Sequence, residues 1–113
     1  MILIADSGAT KSDWIALDSD GAEVFMTQTL GLSPEVLTRE VIEDRLANNY
    51  ELSKNKDKIT NLYFYGAGCG TDRMKKFLKE IFKEYFPNAE VNVKEDTYAA
   101  IYSTTKVGVQ GIV

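Results

Sequence analysis

The chain has 113 residues, of which 44% are hydrophobic and 27% are charged, and its formal net charge is −4. This balance is typical of one globular domain, and the acidic excess argues against partners such as nucleic acid or an anionic membrane. One cysteine and no histidine exclude an internal disulfide, a Ser–His or Cys–His catalytic pair, and a histidine-ligated zinc site within the chain. We therefore expect a cytoplasmic protein in which any metal has oxygen ligands, which favours Mg²⁺.

Three strands are predicted at the start of the chain. Residues 2–5 are continuously apolar, as in a buried strand, and residues 13–17 and 22–29 contain the β-branched and aromatic residues that strands favour. Asp20-Gly21 separates the second and third segments and is a strong signal for a hairpin turn. The chain is therefore expected to open with three antiparallel strands.

Helices and strands alternate in the rest of the predicted order. Ser33 as an N-cap and Pro34 in the first turn predict a helix that continues to Tyr50, and the polar residues 53–58 predict a loop. The remaining predicted elements are a strand over 62–65, a helix over 72–85, a strand over 90–93 and a helix over 97–103. The order β-β-β-α-β-α-β-α combines three antiparallel strands with parallel βα units, which defines an α/β fold.

The same order is shared by ribonuclease H and the actin-like ATPase domains, so the predicted class is ribonuclease H-like. In open α/β sheets, ligands gather at the carboxyl ends of the parallel strands, where Asp6, Gly66 and Asp96 are expected. Ile112-Val113 at the end of the chain resembles the beginning of another strand. We therefore expect residues 1–113 to form an N-terminal domain, truncated at its C-terminal end, of a longer two-domain protein.

The turn after the first strand is a candidate phosphate site. It is not a Walker A loop, which needs the spacing G-x-x-x-x-G-K-[ST] before a helix. Small residues let a phosphate approach the backbone, whose amides can face an anion, while a hydroxyl and an ammonium group add further contacts. The candidate phosphate ligands are Ser7, Gly8, Ala9, Thr10 and Lys11. The alternative is an ordinary β-hairpin turn.

Two aspartates flank this turn. Asp6 follows four apolar residues, where an unpartnered carboxylate is expensive to bury, and we therefore expect Asp6 to hold Mg²⁺ through water between the phosphates. Asp13 is a candidate second acid of the same metal site. The alternatives are that Asp6 caps the hairpin turn and that Asp13 is a surface residue of the second strand.

The sequence resembles the sugar kinase/actin/Hsp70 superfamily, beginning at its phosphate-1 motif with ADSGATKSDW. Within the superfamily, this stretch is most similar to the N-acetylglucosamine kinase and BadF/BcrA-type ATPase group. Further resemblances, in the family's order, are YGAGCGTDR to its glycine-rich segment, VKEDTYAAIYS to its acidic strand end and following helix, and GVQGIV to the lead-in of its phosphate-2 strand. The resemblance implies an actin-like ATPase domain that uses ATP and Mg²⁺ and acts on a small-molecule sugar, with a homodimer as a candidate assembly.

The resemblance also implies roles for individual residues. Asp96 stands where the family's aspartate accepts the proton of the attacking sugar hydroxyl, and the alternative role is a helix N-cap. The spacing G-x-G-x-G over residues 66–70 differs from the G-x-G-x-x-G of a dinucleotide site. Relatives often have an asparagine near the position of Ser33. This difference weakens the inference that the chain shares the relatives' specificity for N-acetylglucosamine. The implied substrate-binding residues are Gly66, Ala67, Gly68, Thr97 and Ser33.

ATP-dependent phosphorylation of a sugar, N-acetylglucosamine or a related amino sugar, is therefore the leading functional hypothesis. On this hypothesis the isolated chain is inactive, because the adenosine pocket and the phosphate-2 loop would lie beyond Val113. Three alternatives stay open: a BadF/BcrA-type ATPase that activates a dehydratase or reductase, a ribonuclease H-like nuclease that uses Asp6 and Asp96 with two metal ions, and a nucleotide or sugar sensor without catalysis.

Overall fold

The computed structural model describes residues 1–8, 10–34, 37–66 and 70–95, with Glu95 described by its backbone alone. Its elements, in chain order, are strands β1 (Ile2–Ser7), β2 (Lys11–Leu17) and β3 (Glu23–Leu30), helices α1 (Arg39–Ala47) and α2 (Tyr50–Asn55), a 3-10 turn (Lys56–Lys58), strand β4 (Asn61–Gly66), helix α3 (Asp72–Tyr85) and strand β5 (Glu90–Glu95). The five predicted strands are confirmed, and their ends differ from the prediction by at most two residues.

The five strands form one mixed sheet in the order β3-β2-β1-β4-β5. β2 is antiparallel to both of its neighbours, β1 and β3, whereas β4 is parallel to both β1 and β5. The predicted α/β class is confirmed, because an antiparallel half made of consecutive strands adjoins a parallel half whose strands need crossover connections. The predicted helix over residues 97–103 lies outside the described residues, so the complete element order stays a prediction.

One face of the sheet, which we call the helix face, packs against the helices and holds the main hydrophobic core. Side chains alternate along each strand, so Leu3, Ala5 and Trp14 point to this face and are at most 1% exposed. The Trp14 ring centroid lies 6.0 Å from that of Phe64 and 6.3 Å from that of Phe82. This packing fixes the register of β1 and β2, because a shift by one residue would move Trp14 to the opposite face.

The opposite face, which we call the second face, carries a smaller apolar cluster. Ile4 and Tyr65 are 9% and 8% exposed at its centre. The half-buried residues packed around them are Ile2, Ile15, Leu17 and Tyr63. Asp6 follows Ile4 on this face toward the carboxyl end of β1, and its side chain is exposed. The second face therefore changes from apolar to polar at the end of β1.

The predicted single helix over residues 33–50 is wrong, because two helices occupy this part of the chain. α1 begins after Thr38, whose hydroxyl accepts a hydrogen bond from the Val41 amide (3.4 Å). α2 begins after Asn49, whose side-chain oxygen accepts a hydrogen bond from an amide of its first turn (3.0 Å). Threonine and asparagine favour such caps over helix interiors. Ser33 is therefore not the N-cap of α1.

The predicted loop over residues 53–58 is also wrong, since α2 and the 3-10 turn cover it. The Ser53 hydroxyl donates to the Ala47 carbonyl (2.9 Å) and lies 2.5 Å from the Tyr85 hydroxyl. Asn55 is only 6% exposed. The polar composition concealed this short helix because its polar side chains have partners within the fold: Ser53 bonds to α1 and α3, and the Asn55 side-chain amide donates to the Glu51 carbonyl within α2 (2.8 Å).

α3 has its predicted bounds. The Thr71 hydroxyl accepts a hydrogen bond from the Met74 amide (3.2 Å) and caps the first turn. Leu78, Ile81 and Phe82 form the buried stripe of the helix. None of the helices in the described residues is long and apolar enough to cross a membrane.

Candidate functional site

The carboxyl ends of the three parallel strands lie along one edge of the sheet. In the register of the sheet, Ser7 at the end of β1 pairs with Gly66 at the end of β4, and Gly66 pairs with Glu95 at the end of β5. The chain therefore leaves all three strands at the same level. Gly8 and Asp96 each follow one member of this row directly in the sequence.

The β1–β2 turn, residues 8–10, lies at this edge and is closed by backbone hydrogen bonds. The Gly8 amide donates to the Lys11 carbonyl (2.8 Å), and the Thr10 carbonyl accepts from the Gly31 amide (3.0 Å). The side chains of Thr10 and Lys11 are exposed. The Gly8 amide bonds within the turn and therefore does not serve as an anion contact. The exposed Thr10 hydroxyl and Lys11 ammonium are the described side-chain groups at this turn that an anion can reach.

Two serines flank the turn on the helix face. Ser7 and Ser12 are 1% and 0% exposed, and the Ser12 hydroxyl donates to Ser7 Oγ (2.6 Å). Ser7 Oγ also accepts a hydrogen bond from the Leu32 amide (3.1 Å). The Ser7 hydroxyl therefore points into the interior. If Ser7 binds phosphate, it does so through its backbone and not through its side chain.

The residues that follow β3, 31–34, lie beside this turn, and we call them the link. They are buried except for Ser33, which is half-buried. The Gly31 amide donates to the turn, and Arg45 of α1 donates to the Gly31 carbonyl. The link is thus held between the turn and α1. Ser33, the predicted substrate contact, stands two residues from the position that is bonded to the turn.

Asp6 and Asp13 pair directly across β1 and β2. Both side chains are exposed on the second face, so the argument that Asp6 is costly to bury is wrong: the helices of the described residues pack on the opposite face. Gln28 on β3 donates to the Asp13 carboxylate (2.6 Å). The two facing carboxylates place oxygen atoms, the ligand type that Mg²⁺ prefers, beside the end of β1.

The donor set at this edge fits Mg²⁺. This ion is usually held by one or two carboxylates together with phosphate oxygens and water, and Asp6 and Asp13 supply two carboxylates. Within residues 1–8, 10–34, 37–66 and 70–95, no group of three or more histidine, cysteine, aspartate or glutamate side chains gathers as a metal cluster. Phosphate oxygens would therefore be needed to complete a Mg²⁺ site here.

A cavity of about 350 Å³ opens between the link and α3. Its lining residues are Pro34, Arg73, Met74 and Phe77. It lies at the carboxyl edge of the sheet, because α3 starts soon after the end of β4. A mainly apolar cavity with one charged group is typical of small-molecule sites. No sequence pattern singled out Arg73, which only closes the segment YGAGCGTDR.

Five of the predicted site residues lie outside the described part of the chain. They are Ala9, Ala67, Gly68, Asp96 and Thr97. Gly66, the described one of the three predicted substrate contacts in the glycine-rich segment, is buried at the end of β4. The described part of the site therefore consists of the turn, the link and the aspartate pair.

No protein-family model matches the sequence, and no curated protein matches it. A solved structure does match: the "putative N-acetylglucosamine kinase" of Porphyromonas gingivalis has 33% sequence identity and a TM-score of 0.75, and the match covers 85% of this chain. It covers 34% of the other chain, so the present chain spans about a third of that protein's length. The α/β fold is therefore similar to that of a kinase-like structure.

Proposed function

We propose that the protein to which this chain belongs catalyses the ATP-dependent phosphorylation of a sugar, with N-acetylglucosamine or a related amino sugar as the first candidate. The observation that carries the proposal is the likeness to the Porphyromonas gingivalis protein, at 33% identity over 85% of this chain. The proposal assigns the ribonuclease H-like, actin-like ATPase class to the fold. Residues 1–113 would be the N-terminal domain of a longer cytoplasmic protein, and the adenosine pocket and second phosphate loop would lie in its remaining part.

The β1–β2 turn is the proposed phosphate-1 site. Phosphoryl transfer depends mainly on holding the phosphates in line with the nucleophile and on neutralising their charge. The exposed Thr10 hydroxyl and Lys11 ammonium are suited to this, because one donates a hydrogen bond and the other carries a positive charge. Close approach of phosphate to the backbone of Ser7, Gly8 and Ala9 completes the proposed site, while the Gly8 amide itself closes the turn.

Asp6 would hold Mg²⁺ in the proposed site, with Asp13 as the second acid. Both carboxylates are exposed at facing positions beside the turn, so water and phosphate oxygens can share the ion with them. When bound, Mg²⁺ neutralises charge on the phosphates of ATP. The aspartates position the ion at the same edge of the sheet as the turn.

Asp96 is the proposed general base. It follows Glu95, whose backbone lies level with Gly66 and Ser7 across the parallel strands. A carboxylate at this edge would accept the proton of the attacking sugar hydroxyl and orient its oxygen toward the γ-phosphate. The proposed sugar contacts are Gly66, Ala67, Gly68, Thr97 and Ser33.

The test is a phosphorylation assay of the intact protein with Mg²⁺-ATP and a panel of hexoses and amino sugars. Asp96→Asn should lower kcat by about 100-fold or more, the range for loss of a general base, while the Kd for ATP stays within about twofold. Asp57→Asn is the matched control, because Asp57 is exposed in the 3-10 turn before the amino end of β4. Near-normal turnover of Asp96→Asn would reject Asp96 as the base. Sugar phosphorylation by residues 1–113 alone would contradict the proposal that the adenosine pocket and the second phosphate loop lie in the rest of the protein.

The same assay separates the kinase from the BadF/BcrA-type alternative. ATP hydrolysis without a phosphorylated sugar, together with iron in the purified protein, would replace the proposed function with that of an activating ATPase. A colourless, iron-free protein that forms a sugar phosphate would exclude this alternative.

A further inference from the structure

Ser7 and Ser12 are unusual in their surroundings. They face each other in the last residue pair before the turn, and both are almost completely buried on the helix face. Their neighbours along that face are apolar, namely Ala5 on β1 and Trp14 on β2. A buried hydroxyl pair among apolar side chains is retained at little cost only if its hydrogen bonds are satisfied.

The partner of the pair comes from a distant part of the sequence. The Ser7 hydroxyl accepts from the Leu32 amide (3.1 Å) as well as from Ser12 (2.6 Å). Leu32 is 0% exposed and lies in the link, outside any helix or strand, so its amide needs a partner from elsewhere. The Ser12 hydroxyl also lies 3.5 Å from the Leu30 carbonyl.

A second hydrogen bond joins the same two segments. The Gly31 amide donates to the Thr10 carbonyl (3.0 Å), so adjacent amides of the link bond to opposite sides of the turn. One bond reaches the backbone of the turn, and the other reaches the side chain of Ser7 at its base. The turn and the link are therefore fastened at two points and cannot shift independently without breaking a hydrogen bond.

We propose that Ser7 and Ser12 are positioning residues that fasten the β1–β2 turn to the Gly31–Leu32 link, so that occupancy of the turn by nucleotide phosphates and of the link by the sugar is coupled. This inference rests on the proposed function for the identity of the two ligands. The link contains Ser33, the proposed sugar contact, and the turn carries Thr10 and Lys11, the proposed phosphate contacts. Ligands that order the two halves of one fastened unit strengthen each other's binding reciprocally.

The experiment measures this coupling in the intact protein by calorimetry. The Kd of N-acetylglucosamine is determined with and without a non-hydrolysable ATP analogue and Mg²⁺, and the ratio of the two values is the coupling factor. We expect a factor of at least about fivefold in the wild type, and loss of the larger part of this coupling in Ser7→Ala, which leaves the Leu32 amide without its acceptor and keeps only the Gly31–Thr10 bond. Ser12→Ala keeps that acceptor and should reduce the factor by a smaller amount.

The matched control is Ser53→Ala, which also removes a hydroxyl with two hydrogen-bond partners but belongs to α2 and bonds to α1 and α3. It should lower the unfolding temperature and leave the coupling factor unchanged. A factor that is unchanged in Ser7→Ala, or that falls equally in Ser53→Ala, would overturn the proposal. A coupling factor of one in a wild-type protein that phosphorylates sugar would also overturn the proposal of coupling. The proposed kinase function would then still stand.

If the wild type shows no sugar phosphorylation, the proposed function is wrong. Amide hydrogen exchange without ligands then still tests whether Ser7 and Ser12 fasten the turn to the link. Ser7→Ala should then accelerate exchange both in residues 8–12 and in residues 30–33, whereas Ser53→Ala should accelerate neither. Acceleration confined to residues 30–33 would show that the turn does not depend on the hydroxyl pair and would overturn the inference.

Discussion

The two hairpin turns of the antiparallel half have similar composition and different construction. The β1–β2 turn follows Asp6-Ser7 and contains Gly8, and the β2–β3 turn, residues 18–22, contains Asp18-Ser19 and Gly21. The second turn bonds within itself: Asp18 Oδ1 accepts from the amides of residues 20 and 22 at 2.9 and 3.0 Å. The first turn and its flanking serines bond outward, to Gly31 and Leu32.

This difference separates a structural turn from a candidate site. A turn that satisfies its own amides and carboxylate, as the β2–β3 turn does, needs nothing from the rest of the molecule. The β1–β2 turn depends on a segment that follows it by about twenty residues, and its acid, Asp6, points away to the second face. The β1–β2 turn thus differs from the β2–β3 turn in its dependence on a distant segment.

Insertion of one glycine between Thr10 and Lys11 should have the largest effect. It would separate the hydrogen bonds that close the turn, and sugar phosphorylation should fall to about 1% of wild type or less, as expected for a misplaced site. The same insertion between Asp20 and Gly21 also disturbs hydrogen bonds within a turn, but that turn lies at the opposite end of β2, so it should lower the free energy of unfolding by about 1 kcal/mol and leave sugar phosphorylation unchanged. Steady-state kinetics of both variants check the contrast, and equal losses would contradict it.

Asp6→Asn should have the next largest effect. Replacing the carboxylate with an amide weakens the proposed Mg²⁺ site, so kcat/KM for ATP should fall about 100-fold, which corresponds to about 2.7 kcal/mol. Asp20→Asn changes an exposed acid of the β2–β3 turn and should leave kcat/KM within about twofold. Titration with Mg²⁺ should partly restore Asp6→Asn. If this variant stays within about threefold of wild type, Asp6 does not hold the metal.

The two turn glycines should respond in opposite ways to alanine. Gly21 has a φ of 84°, where a side chain is strained, so Gly21→Ala should lower the free energy of unfolding by about 1 kcal/mol and leave kinetics unchanged. An added Cβ on Gly8 would meet the Lys11 carbonyl at an ordinary 3.7 Å, so stability should hold. The KM for ATP should rise about tenfold if phosphate approaches the backbone closely there. Urea unfolding and ATP titration separate these outcomes.

Asp18→Ala should have the smallest effect. It removes an acceptor of two exposed amide hydrogen bonds and should lower the free energy of unfolding by about 1 kcal/mol. Asp18→Asn keeps an acceptor oxygen and should lose less. Both variants should phosphorylate sugar at the wild-type rate, and a change in KM for ATP would show that the β2–β3 turn also belongs to the site.

Patterns local in sequence were enough to predict the strands, the Asp20-Gly21 turn and α3, because alternation, turn residues and a buried stripe act within a few residues. The split of the first predicted helix depended on Asn49, whose side-chain amide donates to Thr27 and to the Gln28 carbonyl on β3. No local pattern contains that contact. The apolar periodicity continued across the break and concealed it.

The residue types of the candidate site could be predicted from the sequence, but the directions in which their side chains point could not. The motif placed Asp6 and Ser7 together, whereas strand alternation sends Asp6 to the exposed second face and Ser7 into the core. The signal for Ser12 was its position two residues before Trp14 on the same face of β2, yet its importance rests on Leu32, twenty residues later. Such long-range bonds become visible only once the sheet and the link are assembled.

The aromatic cluster beneath the turn gives the molecule an optical reporter. Trp14 is the only tryptophan of the 113 residues, and its indole is 1% exposed between Phe64 and Phe82 while Nε1 donates to Thr29 (3.1 Å). An indole in such surroundings emits at shorter wavelength than one in water. Because Trp14 shares β2 with Ser12, its emission spectrum and lifetime will register loosening of the first hairpin without any attached dye.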